Sequence, residues 1–159
     1  MQTLTRAIEA KAEMLIRKPV SEVFEAFINP DITSQFWFTK GSGRLEAGKQ
    51  VQWDWDMYNI SIRVSVKTIE ENKKICIEWV SGNEAPTTVE WLFTSLEDNK
   101  TFVSITNTGF NGDDDSRIKQ AVGSTEGFTL VLAGLKAFLE HGIHLNLVLD
   151  RFPEGLENS

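Results

Sequence analysis

Apolar and polar residues alternate strictly near the start of the chain. One face of this segment would carry Ile8, Ala10, Ala12, Met14 and Ile16, and the other face is mostly charged. Alternation with a period of two is typical of a strand that buries one face. The sequence therefore predicts a half-buried strand over residues 8–16.

Helical spacing begins at Pro19, which suits the first turn of a helix because its missing N–H has no partner there. The apolar positions of this helix are Val20, Val23, Phe24, Phe27 and Ile28. Asn29-Pro30 ends it, since the residue before a proline avoids the α conformation. A second short helix is predicted over residues 31–36, leading into the aromatic run Phe36-Trp37-Phe38.

Alternation returns after a predicted turn at Gly41-Ser42-Gly43. The apolar faces of the following strands are Val51, Trp53, Trp55 and Met57; Ile60, Ile62, Val64 and Val66; Ile75, Ile77 and Trp79; Val89, Trp91 and Phe93; and a last strand over residues 102–107. Polar turns separate the later strands at residues 70–73, 82–86 and 97–100. Short strands joined by short turns predict an antiparallel meander.

The longest helix is predicted after the acidic loop at residues 111–116, with Asp115 or Ser116 as its N-cap. Its apolar positions recur at helical spacing: Ile118, Ala121, Val122, Thr125, Phe128, Leu132, Leu135 and Leu139. Gly142 is a suitable C-terminal stop. The apolar stretch after Gly142 favours an extension over residues 143–159 that docks on the body of a single domain, residues 1–159.

Charge narrows the classes of partner. The 159 residues suit one domain, and acidic residues outnumber basic ones by 23 to 16, for a net charge of −7. Such a balance, without a basic cluster, repels phosphate backbones and anionic membrane surfaces. No apolar run is expected to reach membrane-spanning length. We therefore expect neither a nucleic-acid partner nor a membrane partner.

A single cysteine, Cys76, excludes an internal disulfide and a cysteine-rich zinc site. The first residues have no apolar core of the kind found in secretory signals. A cytoplasmic location is therefore the expectation.

Large aromatic side chains are the most distinctive feature of the chain, which has five tryptophans. Trp53 and Trp55 share one strand face, while Asp54 and Asp56 point to the other. Such a face beneath a helix either fills the core or lines a cavity that stacks on a flat apolar ligand. The predicted ligand-contacting residues are Phe36, Trp53, Trp55, Met57, Ile62, Trp79, Trp91, Phe93, Thr125, Phe128 and Leu132.

Three glycines, Gly123, Gly127 and Gly134, interrupt the predicted long helix, each costing up to about 1 kcal/mol relative to alanine. Close approach to the sheet, room for a ligand, or simple tolerance would explain them. Ser124 and Thr125 offer hydroxyls that would orient a polar ligand group, although such hydroxyls more often bond their own helix backbone.

Acid–base and metal chemistry have few candidates. Glu78, Glu90, Asp54 and Asp56 would suit general acid–base work if buried, but solvent-facing strand carboxylates are the stronger expectation. His141 and His144 have no third ligand at a recognisable spacing, so no metal is expected. Nucleophile elbows, phosphate-binding loops and dinucleotide fingerprints are absent from the sequence, so no cofactor is expected and no catalytic residue is assigned.

The order of elements resembles a known superfamily. The resemblance is carried by Pro19-Val20-Ser21-Glu22-Val23-Phe24-Glu25-Ala26-Phe27, by Asn29-Pro30-Asp31, by Phe36-Trp37-Phe38, and by the closing segment Gly127 to Gly142 with Leu130, Leu132, Leu135 and Glu140-His141-Gly142. This pattern is similar to the START-related, Bet v-like superfamily (SRPBCC). More narrowly, it resembles bacterial single-domain relatives of the heat-shock-protein-90 ATPase activator homologues.

The resemblance implies an α+β helix-grip fold, in which a curved antiparallel sheet wraps a long C-terminal helix around a cavity. It also implies three alternatives: a module that binds a small hydrophobic, aromatic or lipid-like molecule; a cyclase, aromatase or hydrolase using the same cavity; or a chaperone-accessory domain. The first is the leading hypothesis. The apolar tail after Gly142 offers either an interaction patch or a homodimer contact.

Overall fold

One antiparallel sheet forms the body of the computed structural model, which describes residues 8–80 and 85–153. Its strands are β1 (Ala10–Ile16), β2 (Lys40–Gly41), β3 (Gln50–Trp55), β4 (Ile60–Glu70), β5 (Lys74–Val80), β6 (Thr87–Leu96) and β7 (Lys100–Thr108). Their order is β1-β7-β6-β5-β4-β3-β2, so strands from β2 to β7 pair with their neighbours in sequence. The predicted meander is confirmed, with β1 added beyond β7.

Four α-helices accompany the sheet among the described residues: α1 (Val20–Ile28), α2 (Pro30–Thr33), α3 (Asp114–His141) and α4 (Leu147–Arg151). The 28 residues of α3 span about 42 Å. Gly142 ends α3 in the left-handed conformation, where its N–H bonds the carbonyl of Phe138. A curved sheet against one long helix is the helix-grip arrangement, so the predicted α+β fold is confirmed.

Side-chain parity places the core on the concave face of the sheet. Alternate residues of most strands are buried, as in Val64 and Val66 of β4. The β4–β5 register shifts between Val66 and Thr68, so the extra residue Lys67 forms a bulge and Ile69 lies opposite Ile75. Without that bulge Ile69 would point to the convex face, because a one-residue slip reverses every side chain.

Two predicted boundaries around the aromatic run are wrong. The second helix ends at Thr33 instead of residue 36, because Phe36, Trp37 and Phe38 are all buried and consecutive residues cannot share one helix face. Gly41 belongs to strand β2, which pairs with β3, and not to a turn. A Cβ on Gly41 would lie 2.9 Å from Cβ of Pro30, so this glycine allows a close approach to α2.

Two further boundaries shift by a few residues. Strand β3 ends at Trp55, and Met57 lies in a one-turn 3₁₀ helix, Asp56–Tyr58, that connects β3 to β4. The N-cap of α3 is Asp113, whose carboxylate accepts a hydrogen bond from the Ser116 N–H at 2.8 Å. Asp113, Asp114, Asp115 and Ser116 can all cap a helix, so the spacing could not choose among them.

Helix α3 is packed along only part of its length. Between residues 114 and 127 only Ala121 is buried, whereas five of the eight residues from 128 to 135 are. Ile118 and Val122, predicted on the buried face, are 51% and 65% exposed, so close packing does not extend to this half of the helix. By length and composition alone α3 would pass as a membrane-spanning helix, contrary to the expectation, but its buried residues pack in the core of the fold.

The C-terminal half of α3 is held close to β1. Ala10 and Ala12 present small side chains on that strand, which lets the helix backbone approach. On the neighbouring side Gly134 would place a Cβ 3.3 Å from the carbonyl oxygen of Phe36, so a bare backbone is needed there. The sheet and the turn after α2 therefore both contact this half of the helix directly.

A polar clamp fixes the same end of α3. The Glu140 carboxylate, 8% exposed, accepts hydrogen bonds from the Arg17 backbone N–H at 2.8 Å and from Lys136 Nζ at 2.7 Å, and Lys136 also donates to the Leu15 carbonyl. Burial raises the pKa of Glu140, but these hydrogen bonds and the positive charge of Lys136 outweigh it. The net pKa therefore lies below its ordinary value of 4.5.

Gly123→Ala should raise the free energy of unfolding by about 0.5–1 kcal/mol, because a Cβ there meets no atom within 4 Å and alanine favours the helix. Gly134→Ala is the matched change at the crowded position and should fall short of Gly123→Ala by about 1 kcal/mol or more. Urea unfolding of both variants measures the difference. Equal gains at the two sites would contradict the close contact with Phe36.

Glu140→Gln should lower stability at pH 7 by about 1–2 kcal/mol, since it removes a charge that accepts two hydrogen bonds. The pKa of Glu140 is depressed in the folded state, so its contribution is complete above the unfolded value near 4.5 and is lost as pH falls through the folded value. The gap between variant and wild type should therefore close below pH 4.5 in urea titrations.

Glu22→Gln is the control for that clamp, because its carboxylate is half exposed and pairs with Lys18 only at 3.9 Å. It should change stability by less than about 0.5 kcal/mol at either pH. A pH-independent cost at Glu140 would show that packing, and not charge, carries the effect.

Candidate functional site

A cavity of about 450 Å³ lies between the N-terminal half of α3 and the concave face of the sheet. Its apolar wall is formed by Trp37, Ile62, Trp79, Phe110, Phe128 and Val131, and its polar lining by Thr87, Asn107, Lys119, Gln120, Ser124 and Glu126. Val148, Arg151 and Phe152, from α4 and the residue after it, border one side. The volume falls within the range of about 300–1,000 Å³ typical of small-molecule sites.

Two glycines of α3 keep this space open. Gly123 and Gly127 border the cavity, and a Cβ at either would meet no atom within 4 Å. Gly134 differs, since it lies against Phe36 in the packed half of the helix. The three glycines therefore have two separate explanations: open space at Gly123 and Gly127, and close backbone approach at Gly134.

Trp37 is the centre of an aromatic cluster that includes part of the cavity wall. Its ring lies 5.0 Å from that of Trp53 and 5.7 Å from that of Phe128, measured between centroids. Trp79 stacks on Phe128 at 5.6 Å with an interplanar angle of 21°. This stack joins the sheet to α3 and presents flat apolar surface to the cavity.

Only part of the predicted ligand-contacting set borders this cavity. Ile62, Trp79 and Phe128 line it. Trp53, Trp55, Trp91, Phe93 and Leu132 do not line it and are packed elsewhere in the core. Strand parity correctly puts them on the concave face but carries no information on where along the sheet the helix stands off.

The other three predicted residues lie elsewhere. Thr125 donates to the Ala121 carbonyl at 2.8 Å within its own helix and is not part of the lining. Phe36 and Met57 border a second cavity of about 220 Å³ beneath residues 143–149. Successive residues of a helix point about 100° apart, so Thr125 does not share the direction of Ser124, which does line the cavity.

Several lining residues were not predicted, and some had a signal in the sequence. Asn107 and Thr87 fall on the concave parity of β7 and β6, two positions from Ile105 and Val89, where a polar residue stands out. Trp37 lies in a turn and Tyr58 in the 3₁₀ helix, so neither belongs to a periodic pattern that would assign it a face.

The polar lining forms a chain of hydrogen bonds. Trp79 Nε1 donates to Thr87 Oγ1 at 2.8 Å, and Asn107 Nδ2 donates to the same oxygen at 3.2 Å. Asn107 Nδ2 also donates to the Thr88 carbonyl at 2.8 Å, and Ser124 Oγ donates to Asn107 Oδ1 at 2.8 Å. Asn107 is 2% exposed, so this network ties β5, β6, β7 and α3 together beside the cavity.

The four acidic candidates for catalysis lie away from the cavity. Glu78 pairs with Lys67 at 3.5 Å and Glu90 with Lys74 at 3.4 Å, both on the convex face. Asp56 is exposed in the 3₁₀ helix. This placement confirms the expectation that Glu78, Glu90 and Asp56 are solvent-facing carboxylates.

Asp54 departs from that expectation in one respect, since it is only 9% exposed. It accepts hydrogen bonds from Ser61 Oγ at 2.6 Å and Gln52 Nε2 at 2.9 Å, which cover it on the convex side of the sheet. These bonds hold the pKa of Asp54 below its usual value, so it is a poor proton donor near neutral pH. None of the four acids borders the cavity.

His141 is the last residue of α3, and His144 lies in the loop that follows it. His144 Nε2 is 2.9 Å from Gln35 Oε1, and His141 Nε2 is 3.8 Å from Glu140. Within residues 8–80 and 85–153, no three His, Cys, Asp or Glu side chains are grouped so that they could hold a metal ion.

Tyr58 and Glu126 attach α4 beside the cavity. The Tyr58 hydroxyl contacts the carbonyls of Val148 and Leu149, and its ring packs edge-on against Phe152 at 5.8 Å. Arg151 forms a bidentate pair with Glu126 of α3, with Nε 2.5 Å from Oε1. Side chains from the 3₁₀ helix before β4 and from α3 thus both bind the same short helix.

Comparison with known proteins gives a consistent picture. A family model described as Activator of Hsp90 ATPase homolog 1-like protein matches residues 17–140. The solved structure of SSP2350 from Staphylococcus saprophyticus is 29% identical, covering 87% of this chain and 96% of its own, with a TM-score of 0.73. No curated protein gives a significant match.

Two more distant structures share the fold. The Aha1 dimer from Colwellia psychrerythraea is 19% identical, covering 85% of this chain and 98% of its own, with a TM-score of 0.73. PFC0360w, an HSP90 activator from Plasmodium falciparum, is 17% identical, covering 83% and 96%, with a TM-score of 0.65. The matched family region ends at residue 140, before α4 begins.

Tyr58→Phe should loosen α4, because it removes the hydroxyl that contacts two carbonyls of that helix. Amide hydrogen exchange at residues 149–152 should become at least about fivefold faster, as expected for a lost hydrogen bond of about 1 kcal/mol. Exchange in β5 and β6 of the same sample is the internal control and should not change. Uniform acceleration across the sheet would instead indicate global destabilisation.

Proposed function

The chain belongs to the Activator of Hsp90 ATPase homolog 1-like protein family, and we propose that it holds a small hydrophobic molecule in the cavity between α3 and the sheet. The family and the superfamily predicted from the sequence resemblance are confirmed. Membership of the family does not specify a ligand, so the proposal depends on the lining of this chain's own cavity.

The cavity itself is the observation that supports binding. It has room for a small organic molecule, and its wall includes the stacked rings of Trp79 and Phe128 together with Trp37. Flat rings gain most from contact with a flat apolar or aromatic body, and burial of apolar surface contributes roughly 25 cal/mol per Å². Glycines at positions 123 and 127 maintain the space although each weakens the helix.

Binding is a better interpretation than catalysis because the predicted acids do not reach the cavity. The charged residues that do border it, Lys119, Glu126 and Arg151, lie at its rim, and Glu126 and Arg151 are paired with each other. General acid–base catalysis requires a titratable group within hydrogen-bond reach of the reacting atoms. The cyclase or hydrolase alternative therefore has no acid candidate from the sequence.

A chaperone-accessory role is the second candidate function. Exposed apolar side chains favour it: Ile143, Leu145 and Leu149 are each 45–50% exposed and lie outside the main cavity. The Plasmodium neighbour is described as an HSP90 activator. Stimulation of the ATPase of a purified Hsp90 by the wild-type protein, and its loss in Leu145→Ser, would support this role.

The same tail bears on assembly and domain limits. We propose that residues 1–159 form one domain in which the segment after Gly142, predicted over residues 143–159, is a docked extension. The contacts of α4 with Tyr58 and Glu126 support docking of residues 143–153, and residues 1–7 and 154–159 lie outside the described part of the chain. A homodimer through the exposed tail and a cytoplasmic location stay predictions. Sedimentation of the wild type and Leu145→Ser at several concentrations tests self-association.

The binding proposal is tested with N-phenyl-1-naphthylamine, a neutral fluorescent probe. The wild-type protein should bind one equivalent saturably, with an increase in probe emission. Gly127→Leu places a large side chain in the open space and should weaken binding by about tenfold or more. Native mass spectrometry gives the stoichiometry.

Thr129→Leu is the matched control, since it adds a leucine on α3 at an exposed position outside the lining. It should bind the probe as the wild type does. Failure of the wild type to bind this probe, or any member of a panel of lipids and polycyclic compounds, would overturn the proposal.

A further inference from the structure

The network beside the cavity has a fixed direction at every hydrogen bond. The Trp79 indole N–H can only donate, so Thr87 Oγ1 accepts from it. The Thr88 carbonyl can only accept, which places Nδ2 of Asn107 on that side and its Oδ1 towards Ser124. Because Oδ1 only accepts, the Ser124 hydroxyl must donate its proton to Asn107.

This direction determines which hydrogen-bonding positions are left over. Thr87 Oγ1 already accepts from Trp79 and Asn107, so it has no free lone pair and only its own O–H to offer. None of the described residues accepts that proton. The Ser124 hydroxyl already donates its proton to Asn107, so its oxygen can still accept hydrogen bonds through its lone pairs. Asn107 Oδ1 has one lone pair that is not used by Ser124.

The leftover positions therefore differ in kind: one donor at Thr87, and acceptors at Ser124 and Asn107. All three residues border the cavity, and Asn107 is almost fully buried. Thr87 and Ser124 are half-buried, so a ligand in the cavity would cover them. Each covered donor or acceptor left without a partner loses about its full desolvation free energy, so a ligand that satisfies both kinds is favoured over one that satisfies neither.

We propose that this network selects a flat apolar ligand bearing a neutral group that both accepts and donates, of which an alcohol or phenol hydroxyl is the simplest. This inference rests on the proposed function, since it names the class of molecule held in the same cavity. The hydroxyl accepts from Thr87 and donates to Ser124 Oγ. A hydroxyl also reproduces the bonds of a water molecule at this position when it displaces one.

Two other classes of ligand fit this lining poorly. A carboxylate only accepts, so its oxygens would face the lone pairs of Ser124 and Asn107 without a proton between them. A pure hydrocarbon would leave the Thr87 donor unsatisfied. The net negative charge of the chain adds to the disadvantage of an anionic ligand.

Four naphthalene derivatives of nearly equal size separate these classes. They are 2-naphthol, which donates and accepts; 2-methoxynaphthalene, which only accepts; 2-methylnaphthalene, which does neither; and 2-naphthoate, an anion that only accepts. Affinities for the full chain at pH 7 are obtained by displacement of N-phenyl-1-naphthylamine and corrected for partition between octanol and water. After correction, 2-naphthol should bind about tenfold more tightly than 2-methylnaphthalene, with 2-methoxynaphthalene between them and 2-naphthoate weakest.

Two serine and threonine variants locate the preference. Ser124→Ala removes the acceptor on α3 and should reduce the 2-naphthol preference to about threefold or less. Thr125→Ala is its matched control, because that hydroxyl bonds the Ala121 carbonyl and lies outside the lining. The control should keep the full preference.

Thr87→Ser keeps the hydroxyl and should keep the preference, whereas Thr87→Val should lose it. Thr87→Val also removes the acceptor of Trp79 and Asn107, so its folding is checked by urea unfolding. If Thr87→Val does not fold, the result for Ser124→Ala decides the matter.

Equal corrected affinities for 2-naphthol and 2-methylnaphthalene, or tightest binding of 2-naphthoate, would overturn this inference and leave the proposed function standing. Binding of none of the four, nor of the displaced probe, would overturn both.

Discussion

The structure depends on one helix of about 42 Å that packs closely against the sheet along only half of its length. The second half of α3 is packed onto β1 by small side chains, by the bare backbone at Gly134 and by the Glu140 clamp. The aromatic stack of Trp79 on Phe128 lies where this close packing ends, and beyond it Ser124 reaches the sheet through its hydrogen bond to Asn107. The cavity is the space between the first half of α3 and the sheet, so it begins where the close contacts stop.

The wall of that cavity combines apolar contact with directed hydrogen bonding. Aromatic rings supply apolar area and shape, and the network through Asn107 supplies a small number of oriented polar atoms. Because Asn107 also joins two strands to α3, the residue that shapes the lining also holds the structure together. A change at Asn107 therefore affects stability and lining together, while Ser124 and Gly127 affect mainly the lining.

Strand parity predicted most of the sheet, because a strand that buries one face carries apolar residues at alternate positions, such as Ile75 and Ile77. It could not predict β2, whose two residues have no period, or the loss of strand at Met57. Helical spacing likewise put Ile118 and Val122 on the buried face, although both are more than half exposed. Trp37, the centre of the aromatic cluster, lies in a turn where no pattern assigns a direction.

Helix α4 lies outside the matched family region yet borders the cavity, and it is joined to the body by side-chain bonds without any β-ladder. Such a segment can detach at a free-energy cost well below that of global unfolding. For a molecule held as proposed, the residence time would then be set by the Tyr58 and Arg151 contacts, and the affinity by the aromatic rings of the wall. Residence time and thermal stability would thus be properties of different parts of the chain, and each could change without the other.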